Sequence, residues 1–129
     1  MELSERLDPA NLAAVLDSVC ATSFDSVMGT EVGEGVHETP IVYVNDAFTD
    51  LTGYERAEVL GKSPAFLQGP GTEREVLDRL VSDLAAGRRF EGRTVNYRKD
   101  GSPFIMNWRV VPVASGGQLT HYLAIQRSD

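Results

Sequence analysis

Cysteine is nearly missing from this chain of 129 residues, with Cys20 as its one thiol. A single cysteine closes no internal disulfide and builds no thiolate metal cage. Histidine is almost as scarce: His37 and His121 stand apart, with no carboxylate or second histidine at ligand spacing, so no metal site is expected. Long apolar runs are absent, and the opening Met1-Glu2-Leu3-Ser4-Glu5-Arg6 lacks the basic-then-apolar pattern of a leader. Both absences predict a cytoplasmic protein that does not enter a membrane. Positive charge is in deficit, 12 Lys+Arg against 19 Asp+Glu, and the resulting formal charge of -7 repels phosphate backbones, so nucleic acid is not an expected partner. A nucleophile–base pair and a phosphate loop are missing too; no catalytic residue is assigned and the chain is not expected to be an enzyme.

What is present is ordinary for a packed domain: 42% hydrophobic and 24% charged residues, in a chain long enough for one core. Asp8-Pro9 followed by Leu12, Val15, Leu16 and Val19 reads as an amphipathic cap helix within residues 1–21, ahead of a folded unit spanning 22–129. The stretch from Thr22 to Thr39, with Gly29, Gly33 and Gly35, reads as one strand and a loose connection. Ile41–Val44 is a β-branched and aromatic strand, and Asn45 caps a short helix that stops at Gly53. Further helical pieces run from Arg56 to Leu60 and around Phe66-Leu67-Gln68. Thr72-Glu73-Arg74-Glu75 has capping-box spacing ahead of the stripe Val76, Leu77, Leu80, Val81, Leu84, which ends at Gly87.

From Arg89 the period becomes two. Asp100-Gly101 predicts a tight hairpin turn into Pro103–Trp108, and Ser115-Gly116-Gly117 predicts another turn before a strand from Leu119 to Gln126. The order implies an α+β domain: a five-stranded antiparallel sheet, short helices on one face and the N-terminal cap helix. Asn96 shares a strand face with Thr94 and Phe90, and Gln126 shares one with Ala124 and Tyr122, so both amides can enter one concavity. The opposite parity carries Val95, Ile105, Val111, Leu123 and Ile125, too apolar a set for open water; a homodimer through this outer face and the N-terminal helix is expected.

Val44-Asn45-Asp46-Ala47-Phe48, Leu51-Thr52-Gly53-Tyr54, Phe66-Leu67-Gln68-Gly69-Pro70, Asn96-Tyr97-Arg98-Lys99-Asp100-Gly101-Ser102-Pro103-Phe104 and Ile125-Gln126 come in an order and spacing that resemble the light-oxygen-voltage (LOV) subclass of PAS domains. The resemblance runs from about Pro40 to Gln126. It implies a PAS fold holding FMN, with riboflavin or FAD as alternatives, and a role in sensing blue light or redox state. By the same resemblance Gln68 and Asn96 bond the edge of the flavin ring and Gln126 contacts it near N5. Ser63, Phe66, Leu67, Leu80 and Met106 complete the expected pocket.

Several positions depart from the family. Ser63, Pro64 and Ala65 stand where it has asparagine, cysteine and arginine; Ala65 and Val81 replace the two expected phosphate arginines, and Met106 replaces a second ring-contacting asparagine. Proline has no nucleophile, so no flavin–sulfur bond can form from that position. The expected mechanism is therefore flavin photoreduction with rotation of the Gln126 amide, with Trp108, Tyr43, Tyr97 and Tyr122 as possible electron donors. Lys62, Arg74 and Arg79 are near enough in sequence to a phosphate, yet read more simply as solvated charges. Cys20 reads as a small buried hydrophobe. The rival reading is a PAS interaction module with an empty or non-flavin pocket. With no output segment after Asp129, the chain is expected to act through a separate signalling protein or as a piece of a longer one.

Overall fold

A computed structural model describes residues 9–21, 23–32 and 39–129, the side chains of 9–13 and 115 excepted. His37 and the glycines at 33 and 35 lie outside them. The elements, in chain order, are α1 (Pro9–Cys20), β1 (Ser26–Glu31), β2 (Ile41–Val44), α2 (Asp46–Thr52), α3 (Arg56–Val59), a 3-10 helix (Pro64–Leu67), α4 (Arg74–Ala85), β3 (Phe90–Tyr97), β4 (Pro103–Ser115) and β5 (Gln118–Ser128). The strands form one five-stranded sheet in the order β2-β1-β5-β4-β3, and every neighbouring pair is antiparallel. This is the α+β architecture that the sequence implies.

Local chemistry fixes the short elements. Asn45 is extended and its side chain accepts a hydrogen bond from the Phe48 N–H at 3.2 Å, starting α2. Gly53 ends α2 at φ 80, a left-handed conformation that side chains resist. Glu58 reaches back to accept from the Glu55 N–H at 2.9 Å at the start of α3. Gly116 and Gly117, at φ 61 and 78, make the tight turn between β4 and β5.

Some expectations fail for physical reasons. Thr72 does not cap α4, whose N-cap is Glu73; its hydroxyl instead donates to the Val95 carbonyl at 2.6 Å and accepts from the Gly69 N–H at 3.0 Å. A tertiary partner has outbid the local one. The Asp100-Gly101 connection is longer than a two-residue turn, with the Arg98 N–H donating to the Ser102 carbonyl at 2.9 Å and Asp100 accepting from the Ser102 N–H and hydroxyl. β4 runs on past Trp108 to Ser115, with Pro112 inside it. The proline is tolerated because β3 reaches only Val110 on that side, so the missing N–H faces no strand there.

The inner face of the sheet, with α2, α3, the 3-10 helix and α4 against it, encloses the main core: Met28, Ile41, Val44, Phe48, Val59, Leu67, Leu84, Phe90, Phe104, Met106, Trp108, Val110, Tyr122 and Ala124. Helix α1 lies on the other side, where Leu16 joins Val27 and Tyr43 in a separate small cluster. Gly29 lies beneath it, where a Cβ would sit in ordinary contact with Leu16 at 3.4 Å. The expected stripe of α1 is only partly used: Leu16 is buried, but Val15 is 49% and Val19 72% exposed.

The rest of the outer face is not the apolar sheet that Val95, Ile105, Val111, Leu123 and Ile125 suggested. Arg93, Asn107 and Arg127 form one cross-strand row, and Glu91, Arg109, Ile125 and Val27 the next. Arg93 pairs with Asp129, Arg109 with Glu91 and Arg127 with Asp25. The apolar residues are interrupted by ion pairs, and of the five only Ile105 counts as exposed, at 41%.

Candidate functional site

Two carboxamides, of Asn96 and Gln126, and the hydroxyls of Ser26, Thr30 and Thr94 are buried among the apolar side chains of the inner face. Phe90, Thr94 and Asn96 of β3, Phe104, Met106 and Trp108 of β4, and Tyr122, Ala124 and Gln126 of β5 all point inward and are buried. Asn96 and Gln126 thus share one side of the sheet. They do not touch: Gln126 is rung partner to Trp108 and Ser26, whereas Asn96 is rung partner to Phe104, two inward positions further along β3 from Gly92, the partner of Trp108.

Each amide has an unequal set of partners. Gln126 Oε1 accepts from the Ser26 hydroxyl at 2.8 Å, deep in the protein and across one hundred residues of sequence. Asn96 Nδ2 donates to the thioether of Met106 at 3.2 Å. Sulfur is a weak acceptor, so this buried donor is poorly matched. Thr94 is better served, accepting from the Glu73 N–H at 2.8 Å, which ties the start of α4 to β3.

The remaining expected site residues surround this face at different depths. Leu67, 2% exposed, and Met106, 1% exposed, are core. Phe66 is partly buried and meets the edge of Tyr54 at a centroid distance of 4.9 Å. Leu80 packs against the core from α4 and also lines a surface cleft of about 380 Å³ together with Thr39, Ser63, Ala65, Gln68 and Val81. Gln68 and Ser63 are exposed at this cleft and not buried with the other amides. Pro64 opens the 3-10 helix, and Ser63 as its N-cap accepts weakly from the Ala65 N–H at 3.4 Å. The cleft is walled by the 3-10 helix and α4, and Ala65 and Val81 lie together in it. A smaller cleft of about 260 Å³ reaches Ser26 and Gln126 from the α2 side.

The cysteine and the aromatic residues sort by face. Cys20 packs against the Leu16, Val27 and Tyr43 cluster, across the sheet from both amides. Tyr43 is on that side too, its hydroxyl donating to the Leu16 carbonyl at 3.3 Å. Tyr97 is at the β3 edge, where its hydroxyl accepts from the Gly71 N–H at 2.7 Å and its ring fills the space a Cβ at Gly69 would need. Trp108 and Tyr122 face inward, and Trp108 stacks at 4.9 Å on Phe90. Burial pushes the Tyr122 hydroxyl pKa up, keeping it neutral.

The residue that sequence reasoning missed is Ser26. A small polar residue at the start of a strand carries no signal of its own, and only the β1–β5 pairing brings it to Gln126. No metal-binding cluster occurs among the described residues, and no helix among them is long and apolar enough to cross a membrane.

Comparison with known proteins agrees with this layout. Residues 29–128 match the family model described as PAS domain. The chain is 40% identical over 90 residues to a blue-light-activated histidine kinase of Brucella anthropi, covering 69% of this chain and 18% of that protein. It is 36% identical over 100 residues to phototropin-1A of Oryza sativa subsp. japonica, covering 74% of this chain and 10% of that protein. Among solved structures, the LOV domain from the Erythrobacter litoralis EL346 blue-light activated histidine kinase superposes with a TM-score of 0.74 at 28% identity, covering 81% of this chain and 94% of that one. The chain thus spans a small part of these longer relatives and nearly all of an isolated LOV domain.

Proposed function

This chain belongs to the PAS domain family, in its light-oxygen-voltage subclass, and from that premise we propose that it is a flavin-binding blue-light or redox sensor that works without a cysteinyl adduct. The observation that carries the reading is the pair of buried amides on one sheet face, Asn96 and Gln126, set in an otherwise apolar box. That donor set fits the ring of a flavin, which has an apolar end and a polar edge. Asn96, now bonded only to a thioether among its described partners, has a donor suited to a ring carbonyl. Gln68, exposed at the cleft, would have to turn inward to join them.

Bound there, a flavin would supply blue-light absorption and, at its ring nitrogen N5, a group whose hydrogen-bonding sense depends on the redox state of the ring. Gln126 answers that change. With Oε1 on the Ser26 hydroxyl, its Nε2 is the group left to donate toward the ring. Rotation of the carboxamide reverses both ends, and Ser26 accommodates it because a hydroxyl accepts as readily as it donates. Ser26 adjoins Val27, which packs under α1 against Leu16. The route from the amide to the N-terminal helix is therefore short. Trp108, the rung partner of Gln126, is the aromatic side chain best placed to pass an electron, replenished by an external reductant.

Pro64 and the position of Cys20 support the absence of an adduct, since neither puts a thiolate on the inner face. A second copy of the chain is proposed to dock on the outer face. The alternating arginines and carboxylates there are self-complementary under a two-fold axis, and Ile105 adds apolar area. Sedimentation equilibrium tests that association.

The test of the sensor itself is illumination of purified protein with a mild reductant. The expected result is a reversible loss of the oxidised-flavin bands, slowed about tenfold in Trp108→Phe. In Gln126→Leu the spectral change should persist while the accompanying change in hydrogen exchange of α1 disappears. A protein with no flavin bands before illumination, or none that respond to it, removes the proposal.

A further inference from the structure

The cleft between the 3-10 helix and α4, which Ala65 and Val81 line together, is built for an uncharged tail. Among the described residues its lining contains one cation, Arg74, and one anion, Asp78, and is otherwise neutral, with Ser63, Ala65, Gln68 and Val81 on it. Arg74 and Asp78 sit one helical turn apart, Nε to Oδ1 at 3.7 Å, and both are largely exposed, so they offer no net charge to a ligand. The start of α4 does not compensate. Its N-cap is Glu73 and its first turn carries Glu75, two carboxylates that offset the positive end of the helix, and the Glu73 N–H is already committed to Thr94.

Cations close by are engaged elsewhere. Arg79 donates to the Glu91 carbonyl at 2.7 Å and lies 4.8 Å over the Phe90 ring, and it also faces Asp83 at 3.9 Å. The Lys62 ammonium is over the Phe66 ring at 5.9 Å. Among the described residues the cleft offers a phosphate dianion one cation, Arg74, beside the anion Asp78, with Glu73 and Glu75 on the neighbouring start of α4, in a protein whose formal charge is -7. Hydroxyls and an amide do remain: Thr39, Ser63 and Gln68 line the cleft and can both give and accept hydrogen bonds. They can bond a chain of alcohol groups or a phosphate alike, but being neutral they bring nothing to balance the charge of a phosphate dianion.

Resting on the flavin reading above, we infer that this domain selects a flavin with a neutral polyhydroxyl tail, riboflavin, over its phosphate ester FMN. The ring end of FMN fits the residues present, and the phosphate end does not.

The experiment is equilibrium titration of ligand-free protein with riboflavin and with FMN, followed by quenching of flavin fluorescence at low and high salt. Riboflavin should bind several-fold more tightly at low salt. FMN affinity should rise with salt as repulsion is screened, while riboflavin affinity stays level. Val81→Arg should move the FMN-to-riboflavin affinity ratio about tenfold toward FMN, roughly the worth of one charge-assisted hydrogen bond. Asp78→Asn, which leaves the fold untouched at an exposed position, should move it the same way by a smaller factor. FMN binding more tightly than riboflavin to the unmodified protein, with affinity falling as salt rises, overturns the inference and leaves the flavin reading standing. Failure of both flavins to bind overturns both.

Discussion

On the inner face of the sheet the inward side chains are apolar, apart from neutral hydroxyls and amides, while the outer face alternates arginines with carboxylates in open water. The outer arrangement is cheap. Arg109 and Glu91 are 69% and 66% exposed, and such pairs contribute little because water solvates each partner almost as well. Burying Thr94, Asn96 and Gln126 is costly, since each must replace the hydrogen bonds it left in solvent. Thr94 and Gln126 find oxygen or nitrogen partners, and Asn96 finds sulfur. The contrast teaches where the chain gives up stability, and a site that gives up stability is a site shaped for something other than folding.

The contrast breaks first at the apolar core. Phe48, 0% exposed, should cost about 3–5 kcal/mol when cut to alanine, read from urea unfolding; a smaller loss would mean that the inner face is not tightly packed. Asn96→Leu sharpens it. The ligand-free protein should unfold at the same urea concentration or a higher one, while riboflavin affinity drops about tenfold for the loss of one hydrogen bond. An Asn96→Leu protein that is markedly less stable would make the amide structural.

His121 tests the outer face from another side, because it has outer parity yet is only 2% exposed and its Nε2 has no partner among the described residues. Its Nδ1 faces the Thr120 hydroxyl at 2.8 Å. Burial lowers its pKa below the ordinary 6.5, against a smaller opposite pull from Glu31. The unfolded chain therefore takes up a proton near pH 6.5 that the folded one resists, so stability is complete above that pH and declines below it. The Tm should fall between pH 7.5 and 5.5, and His121→Leu should flatten the slope. Arg109→Ala should do least, within about 0.5 kcal/mol by the same urea assay.

Much of the fold was legible because it is written in local residues. Asn45 and Gly53 bound α2, Gly116 and Gly117 turn the last hairpin, and the period of two placed Asn96 and Gln126 on one face. What escaped depends on distant partners. Thr72 looks like a cap until the Val95 carbonyl claims it, β4 runs on past Trp108 through a Pro112 that β3 does not reach, and Gln68 follows the family pattern yet sits exposed at the cleft. The ion pairs of the outer face had a signal that was passed over: Arg93 has the parity of Val95, and Arg109 that of Val111. Counting charges along with apolar residues at that period would have found them.

Both borders of the sheet are partly closed by ordinary loop and helix residues. Along β3, Thr72 and Arg79 take the outward carbonyls of Val95 and Glu91. Along β2, the Ile41 N–H donates to the Lys62 carbonyl and its own carbonyl accepts from Gly61, while Arg56 takes the Val44 carbonyl. These contacts occupy part of each rim, leaving a stray extended peptide fewer groups to pair with and so disfavouring fibrous stacking at high concentration. Neighbouring domains in a longer polypeptide then communicate more readily by leaning against the flat of the sheet than by stitching themselves onto its rim.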